Sequence, residues 1–290
     1  MVSKQDRLAL TIDRLFSYGV KGTAWLSSLL LLWLVLSLTI EALPAIGTIG
    51  IKFFLDWQWV PDRSQFGALA FIWGTVYSSI LALALAVPTG LAVGLLSSRG
   101  LPLVPALVRN CLRLMIDVMV ILPSVVIGLW GIYNLIPLFG SSMLAAVVVL
   151  TMMIVPTIAT VCRNACDDLP RSWRDSSLSL GMTLWETAFN LYVPAIRPAL
   201  FSGAILALGR ALGETMAVTM VIGNPTRPHP SWSLFSPATS ITSLLANQFG
   251  EAIEPLHLSA LAYLALVLLV ITLIANSVGW YLSMLSSRRL

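Results

Sequence analysis

Charge is scarce in this chain: 10% of its 290 residues are Asp, Glu, Lys or Arg, while 58% are hydrophobic and the mean hydropathy is +0.89. So little charge excludes a disordered polar chain and a solvated globular domain. Histidine and cysteine are scarcer still, with two and three copies. Neither His229 nor His257 has a neighbour that would make a catalytic pair with it, so both read as solvated or interface-lining side chains. Cys111, Cys162 and Cys166 read as structural thiols on a reducing side, because the two in CRNAC lack the His or second Cys pair that a zinc site requires. The absence of G-x-x-x-x-G-K-S/T excludes ATP binding through a Walker loop of the chain's own. With no H-E-x-x-H or G-x-S-x-G either, a membrane-embedded enzyme is the poorest of the available classes.

Long apolar runs are what the sequence has in quantity. Residues 23–40, 66–98 and 118–162 carry no charge, and a crossing needs about 20 apolar residues. The third run is long enough to cross twice and folds at 134–142, where Pro137 and Gly140 form turns. With 201–223 and 256–283 this gives six spans, an all-α integral membrane protein. The first run reads as an uncleaved span, since no small-residue cleavage site follows it. Thirteen of the seventeen Lys and Arg fall in the N-terminal tail, the second and fourth loops and the C-terminal end, while only Lys52, Arg63 and Arg227 lie opposite. Both termini are therefore expected in the cytoplasm. The net charge of +4 then reflects topology and leaves no nucleic-acid footprint.

The loops divide the chain further. Residues 1–21 read as a polar cytoplasmic tail, in which Leu8, Ile12, Leu15 and Phe16 recur at the spacing of a short surface helix; residues 22–290 form the transmembrane domain. Extracytoplasmic loops are expected at about 41–66 and 224–254. In the first, Trp57 and Trp59 suit the aromatic belt at the membrane interface or a docking surface for an external partner. The cytoplasmic stretch 163–197 is the most patterned: Trp173, Leu178, Leu180, Trp185 and Phe189 keep helical spacing on either side of Gly181, as two surface helices joined through a glycine would.

One span holds charge. Arg210 and Glu214 lie four residues apart in 201–223, and each ionised group at a span centre costs roughly 2.5 to 3.5 kcal/mol unless it faces a bundle interior or water. On a continuous helix they sit about 40° apart and about 6 Å apart along the axis. They form either an intrahelical pair, in the less favourable Arg-before-Glu order, or a solute path. Asp117 is too shallow to partner Arg210 simply, being about 5 Å in from the cytoplasm against about 16 Å, and reads as a cytoplasmic-side gate or a structural cap. Pro123 and Ser124 in the third span either free backbone groups that line the same cavity or kink the helix.

Spacing carries a resemblance. Asp175-Ser176-Ser177, three residues, Gly181, nine residues and Leu191-Tyr192-Val193-Pro194 resembles the coupling loop of binding-protein-dependent ABC importer permeases, with serines in place of two alanines. Gly209-Arg210-Ala211-Leu212-Gly213-Glu214-Thr215-Met216-Ala217-Val218 followed by Gly223-Asn224-Pro225 resembles the fifth span of PstC-type phosphate permeases, and LPSVVIGLWG at 122–131 resembles their third. The related PstA-type permeases continue GETAPL, where this chain has GETMAV. Signatures of the second and fourth spans extend the resemblance over about residues 53–280.

The resemblance implies a MetI-like ABC permease fold in a bacterial plasma membrane. It also implies a substrate path through Arg210, Glu214, Asp117, Pro123, Ser124 and Thr215, and an ATPase-coupling loop with Asp175, Ser176, Ser177, Gly181, Trp185, Glu186 and Pro194. Its implied partners are a PstA-like permease, two PstB-type ATPases that would hold ATP and Mg, and a PstS-type phosphate-binding protein outside; no cofactor belongs to this chain. The alternatives are a PstA-type permease, a permease for another oxyanion, and a secondary anion transporter or channel, which the coupling-loop register opposes.

Overall fold

The computed structural model describes residues 4–287, with side chains over 16–281. Helix α1 (Lys4–Ile49) runs unbroken for 46 residues. No proline precedes Pro44 to stop it, so the expected boundary near residue 21 and the separate surface helix are not present in the backbone. Arg288 and Arg289, counted in the cytoplasmic charge set, lie outside the described residues. A short helix α2 (Lys52–Leu55) and a two-residue antiparallel pair, β1 (Trp59–Val60) and β2 (Gln65–Phe66), fill the first outer loop. Helix α3 (Leu69–Ser97) returns across.

The next span is broken. Helices α4 (Ala106–Ile121) and α5 (Ser124–Asn134) meet at 102°. Leu122, the residue before Pro123, is driven out of the helical region (φ −58°, ψ 130°), as a following proline ring dictates. The expected hairpin at 134–142 holds one helical turn, α6 (Ile136–Phe139), and reverses at Gly140 with φ +68°. Helix α7 (Met143–Asp168) starts on the Ser142 hydroxyl, which accepts from Ala145 N at 3.3 Å. Then come α8 (Arg171–Ser179), α9 (Leu184–Thr187), a π-helical turn over Ala188–Tyr192 and α10 (Val193–Ala195). A 68° bend leads into α11 (Arg197–Gly213), followed by α12 (Met216–Val221), the outer α13 (Ile241–Gln248) and α14 (Pro255–Ser287). Four helices are long and apolar enough to cross a membrane, or six spans if each bent pair is one. The protein is a multi-pass membrane protein.

Two hydrophobic clusters hold these elements. The larger is centred on α3 against α7, whose approach depends on small residues: a Cβ on Gly90 would meet Ile158 Cβ at 2.8 Å, and one on Gly94 would meet Cys162 Cβ at 2.6 Å. Cys162 and Cys166 are buried in this seam, consistent with packing thiols, while Cys111 is exposed. The second cluster caps the outer end. There Phe53 stacks on Tyr263 at 4.2 Å between ring centroids, and Trp59 Nε1 donates to Gln248 Oε1 at 2.7 Å. Trp59 is only 6% exposed, so it belongs to this cap and the belt assignment is corrected; Trp57 is exposed. His257, read as solvated or interface-lining, is also buried, stacked on Phe66 with Nε2 3.1 Å from Gln248 Oε1.

At the other end of α3 and α7 Asp167 gathers three elements. It accepts from Ser98 Oγ at 2.7 Å and from the N–H groups of Arg99 (2.6 Å) and Gly100 (3.1 Å), and it pairs with Arg113. The hydroxyl of buried Tyr192 donates to Gly100 O at 3.3 Å, which links the same loop to the segment after α9. Gly94→Val is expected to force α3 off α7 and destabilise the protein by about 1–3 kcal/mol or more, read as a lower thermal transition in detergent.

Candidate functional site

The fifth span does not run through its charged pair. Helix α11 ends at Gly213, Glu214 is extended (φ −69°, ψ 124°), and α12 begins at Met216. Arg210 and Glu214 therefore do not share one continuous helical face, and the 40° relation is replaced by a break between them. They are not ion-paired. Among the described residues the ion pairs are Arg113 with Asp167, Arg163 with Asp117 and Arg174 with Asp175, and Arg210 has no partner. Glu214 turns to the next helix instead: its Oε1 accepts from Ala217 N at 3.2 Å, which places a carboxylate at the positive end of α12. Its main-chain carbonyl accepts from Thr242 Oγ1 at 2.8 Å, and Thr215 Oγ1 donates back to Gly213 O at 3.3 Å.

The two breaks are neighbours through their outer halves. Helix α5 packs on α12, with Gly128 so close to Ala217 that an added Cβ would stand 2.9 Å from its Cα. Ser124, half-buried, opens α5 directly after the exposed Pro123. Around the breaks the surface is open-sided: Ile121, Gly213 and Met216 are exposed, and Arg210, Glu214 and Thr215 are half-buried. Arg210 is thus a partly exposed guanidinium one turn before irregular backbone, within a span.

Asp117 is not part of that group. Its carboxylate accepts from Arg163 Nη1 at 3.0 Å, which ties α4 to the cytoplasmic end of α7. The sequence counted Arg163 only as a loop cation and so missed it as this partner. Thr242 and Asn224, which hold α12, were also missed; an isolated hydroxyl in an outer loop gives no periodic signal.

The segment from α8 to α10 presents a second surface. Gly181 has φ +87° and joins α8 to α9, a geometry that disfavours any side chain there. Helix α9 opens on a reciprocal cap, with Thr183 N donating to Glu186 Oε2 at 2.7 Å and Glu186 N to Thr183 Oγ1 at 3.2 Å. Ser177 Oγ and Thr187 Oγ1, both buried, lie 2.9 Å apart and pin α8 to α9. Asp175 is exposed and pairs with neighbouring Arg174 at 2.9 Å. Trp185 stacks on Phe189 at 6.2 Å, and both are exposed with Trp173, Leu178 and the 83% exposed Leu180. Beside them is a groove of about 490 Å³ lined by Trp173, Ser176, Ser177, Leu180, Met182 and Leu191. Pro194 sits in α10, just before the bend into α11. An apolar patch on a preorganised polar loop marks a contact surface.

Residues 86–284 match the family described as binding-protein-dependent transport system inner membrane component. The phosphate transport system permease protein PstC of Mesorhizobium japonicum is 34% identical, covering 96% of this chain and 91% of that protein. Its counterpart in Pasteurella multocida is also 34% identical, over 94% and 92%. Among solved structures, an inward-facing form of the MetNI methionine ABC transporter superposes with a TM-score of 0.62 at 17% identity, over 74% of this chain and 94% of that one. A bacterial ABC transporter that imports alginate gives 0.56 at 17%, over 92% and 99%. At such identities these structures speak for the fold alone, which is that of ABC importer permeases. By the family match over most of its length, and by relatives that span nearly all of it, this chain belongs to the binding-protein-dependent transport system inner membrane components.

Proposed function

We propose that this chain is the permease subunit of an ATP-driven phosphate importer and forms half of its translocation path. The observation that carries the reading is Arg210, a guanidinium within a span, one turn from a break, with no counter-ion among the described residues. Phosphate is an oxyanion whose geometry a guanidinium fork matches bidentately while remaining charged. Because Glu214 is engaged with the α12 N-terminus, an arriving anion meets an arginine that it need not win from a carboxylate. The same carboxylate close by opposes tight retention of the cargo. Backbone groups beside Pro123 and Ser124, and the Thr215 hydroxyl, supply further polar lining. The Asp117–Arg163 pair ties the path's cytoplasmic end. The likeness to phosphate permeases of Mesorhizobium and Pasteurella supports the choice of anion.

Energy enters from outside the chain. Residues 171–195 form the docking surface for an ATPase that holds ATP and Mg, and the assembly comprises a PstA-like permease, two PstB-type ATPases and a PstS-type phosphate-binding protein outside. The reading puts the complex in the bacterial inner membrane, and the Lys and Arg distribution supports both termini of this chain being cytoplasmic.

In proteoliposomes holding the whole complex, with sulfate, molybdate and phosphonate as competitors, ATP-driven uptake is expected for phosphate; uptake without ATPase and binding protein would sink the importer reading. Arg210→Gln is expected to lower uptake by about 10- to 100-fold, the loss of a charge-assisted contact, while the complex still co-purifies. Unchanged uptake would remove Arg210 from the path. Gly181→Val must adopt a left-handed backbone at a cost of about 1–2 kcal/mol and is expected to reduce ATPase co-purification. Full retention of the ATPase and normal phosphate-stimulated hydrolysis would count against the docking assignment.

A further inference from the structure

The outer loop does more than cover the end of the bundle. Helix α12 carries the outer edge of the break at Glu214, and it is held at both ends by hydroxyl and amide groups of one short segment, Thr239-Ser240-Ile241-Thr242-Ser243, and of Asn224. At its start the hydroxyl of Thr242, only 5% exposed, donates to the Glu214 carbonyl at 2.8 Å. At its end Asn224 Nδ2 donates to Thr219 O at 2.9 Å, while Asn224 Oδ1 accepts from Ser243 Oγ. Main-chain bonds close the same clasp, Asn224 N to Ala238 O and Ala238 N to Ile222 O, each at 3.0 Å. Asn224 takes a left-handed conformation (φ 46°) to do this, which Asn tolerates better than most residues. Gly223 beside it has φ +109°, and a Cβ there would stand 2.6 Å from Pro237 Cβ.

The clasp is anchored to the rest of the outer end. Ile241 N donates to Thr75 Oγ1 of α3 at 2.8 Å. At the far end of α13, Gln248 receives Trp59 Nε1 from the first outer loop at 2.7 Å. A displacement of 224–248 therefore cannot leave α12 where it is without opening these hydrogen bonds, among them those of buried Thr242 and Ser243.

We propose that Thr242, Ser243 and Asn224 are positioning residues that fix α12, and through it the break beside Arg210, to the outer loop. Pressure on that loop from outside the membrane then reaches the middle of the span through the Thr242 hydroxyl and the Glu214 carbonyl. The inference deepens the proposed function and rests on it for the cargo alone.

The test uses the full complex with Cys111→Ser and a reporter, Met216→Cys, at the exposed start of α12; Cys162 and Cys166 are buried. Two quantities are read: the rate at which the reporter reacts with a maleimide at rest, and phosphate taken up per ATP hydrolysed. Thr242→Val keeps the shape and removes the donor. It is expected to raise labelling about fivefold, the scale of one lost hydrogen bond, and to lower uptake per ATP similarly; Thr242→Ser is expected to restore both. Equal labelling in Thr242→Val and the parent overturns the clasp. Raised labelling with unchanged uptake per ATP overturns its positioning role. If Thr242→Val does not assemble, Ser243→Ala, which opens the Asn224 end, is judged by the same two outcomes. Raised labelling in a complex whose unmodified form moves no phosphate supports the clasp and overturns the cargo reading instead.

Discussion

Hydrocarbon offers no hydrogen bonds, so a span can break only where side chains take over the freed backbone groups. That constraint organises this protein. The fifth span breaks at Glu214 because two substitutes are at hand: the Glu214 carboxylate serves the α12 N-terminus, and Thr242 serves the Glu214 carbonyl. In the third span Pro123 removes a donor itself and forces Leu122 out of the helix. The two half-spans that follow the breaks, α5 and α12, then pack through Gly128.

The break also changes the energetics of Arg210. On a continuous helix an arginine and a glutamate four residues apart would partly neutralise each other, and the pair would be inert. With Glu214 turned toward α12, the guanidinium keeps its field, and its partial exposure at an open face limits the desolvation that full burial would impose. Arg210 thus keeps a charge within the span that no described acid neutralises.

Much of this was legible in the sequence, for reasons that particular residues make plain. Uncharged runs located the crossings because span length is set by the membrane. Gly181 marked the join between α8 and α9 because left-handed backbone favours glycine, and Asp117 was separated from Arg210 by helical rise alone. The break at 214 was not legible: GRALGETMAV has no proline, its apolar spacing is that of a continuous helix, and what stabilises the break is a hydroxyl 28 residues further on. Trp59 was misplaced for a related reason. Tryptophan in an outer loop suits both a membrane belt and a buried cap, and only Gln248, 189 residues away, decides between them. The continuity of α1 past residue 21 was missed because a polar stretch ahead of a span resembles a loop unless something breaks the helix.

The end of the bundle around Asp167 and the break at Glu214 are held by different chemistry. Toward the end of α7, Asp167 and Asp117 are each engaged by an arginine from a neighbouring element, Arg113 and Arg163. Those pairs tie α4 to α7 while cancelling the field that the acids would otherwise project. At the break Glu214 supplies the charged fastening, its carboxylate accepting from Ala217 N, while Thr242, Ser243 and Asn224 hold the rest of α12 through neutral hydroxyl and amide groups. Paired acids at one end and a carboxylate turned into α12 at the break leave Arg210 without a counter-ion among the described residues.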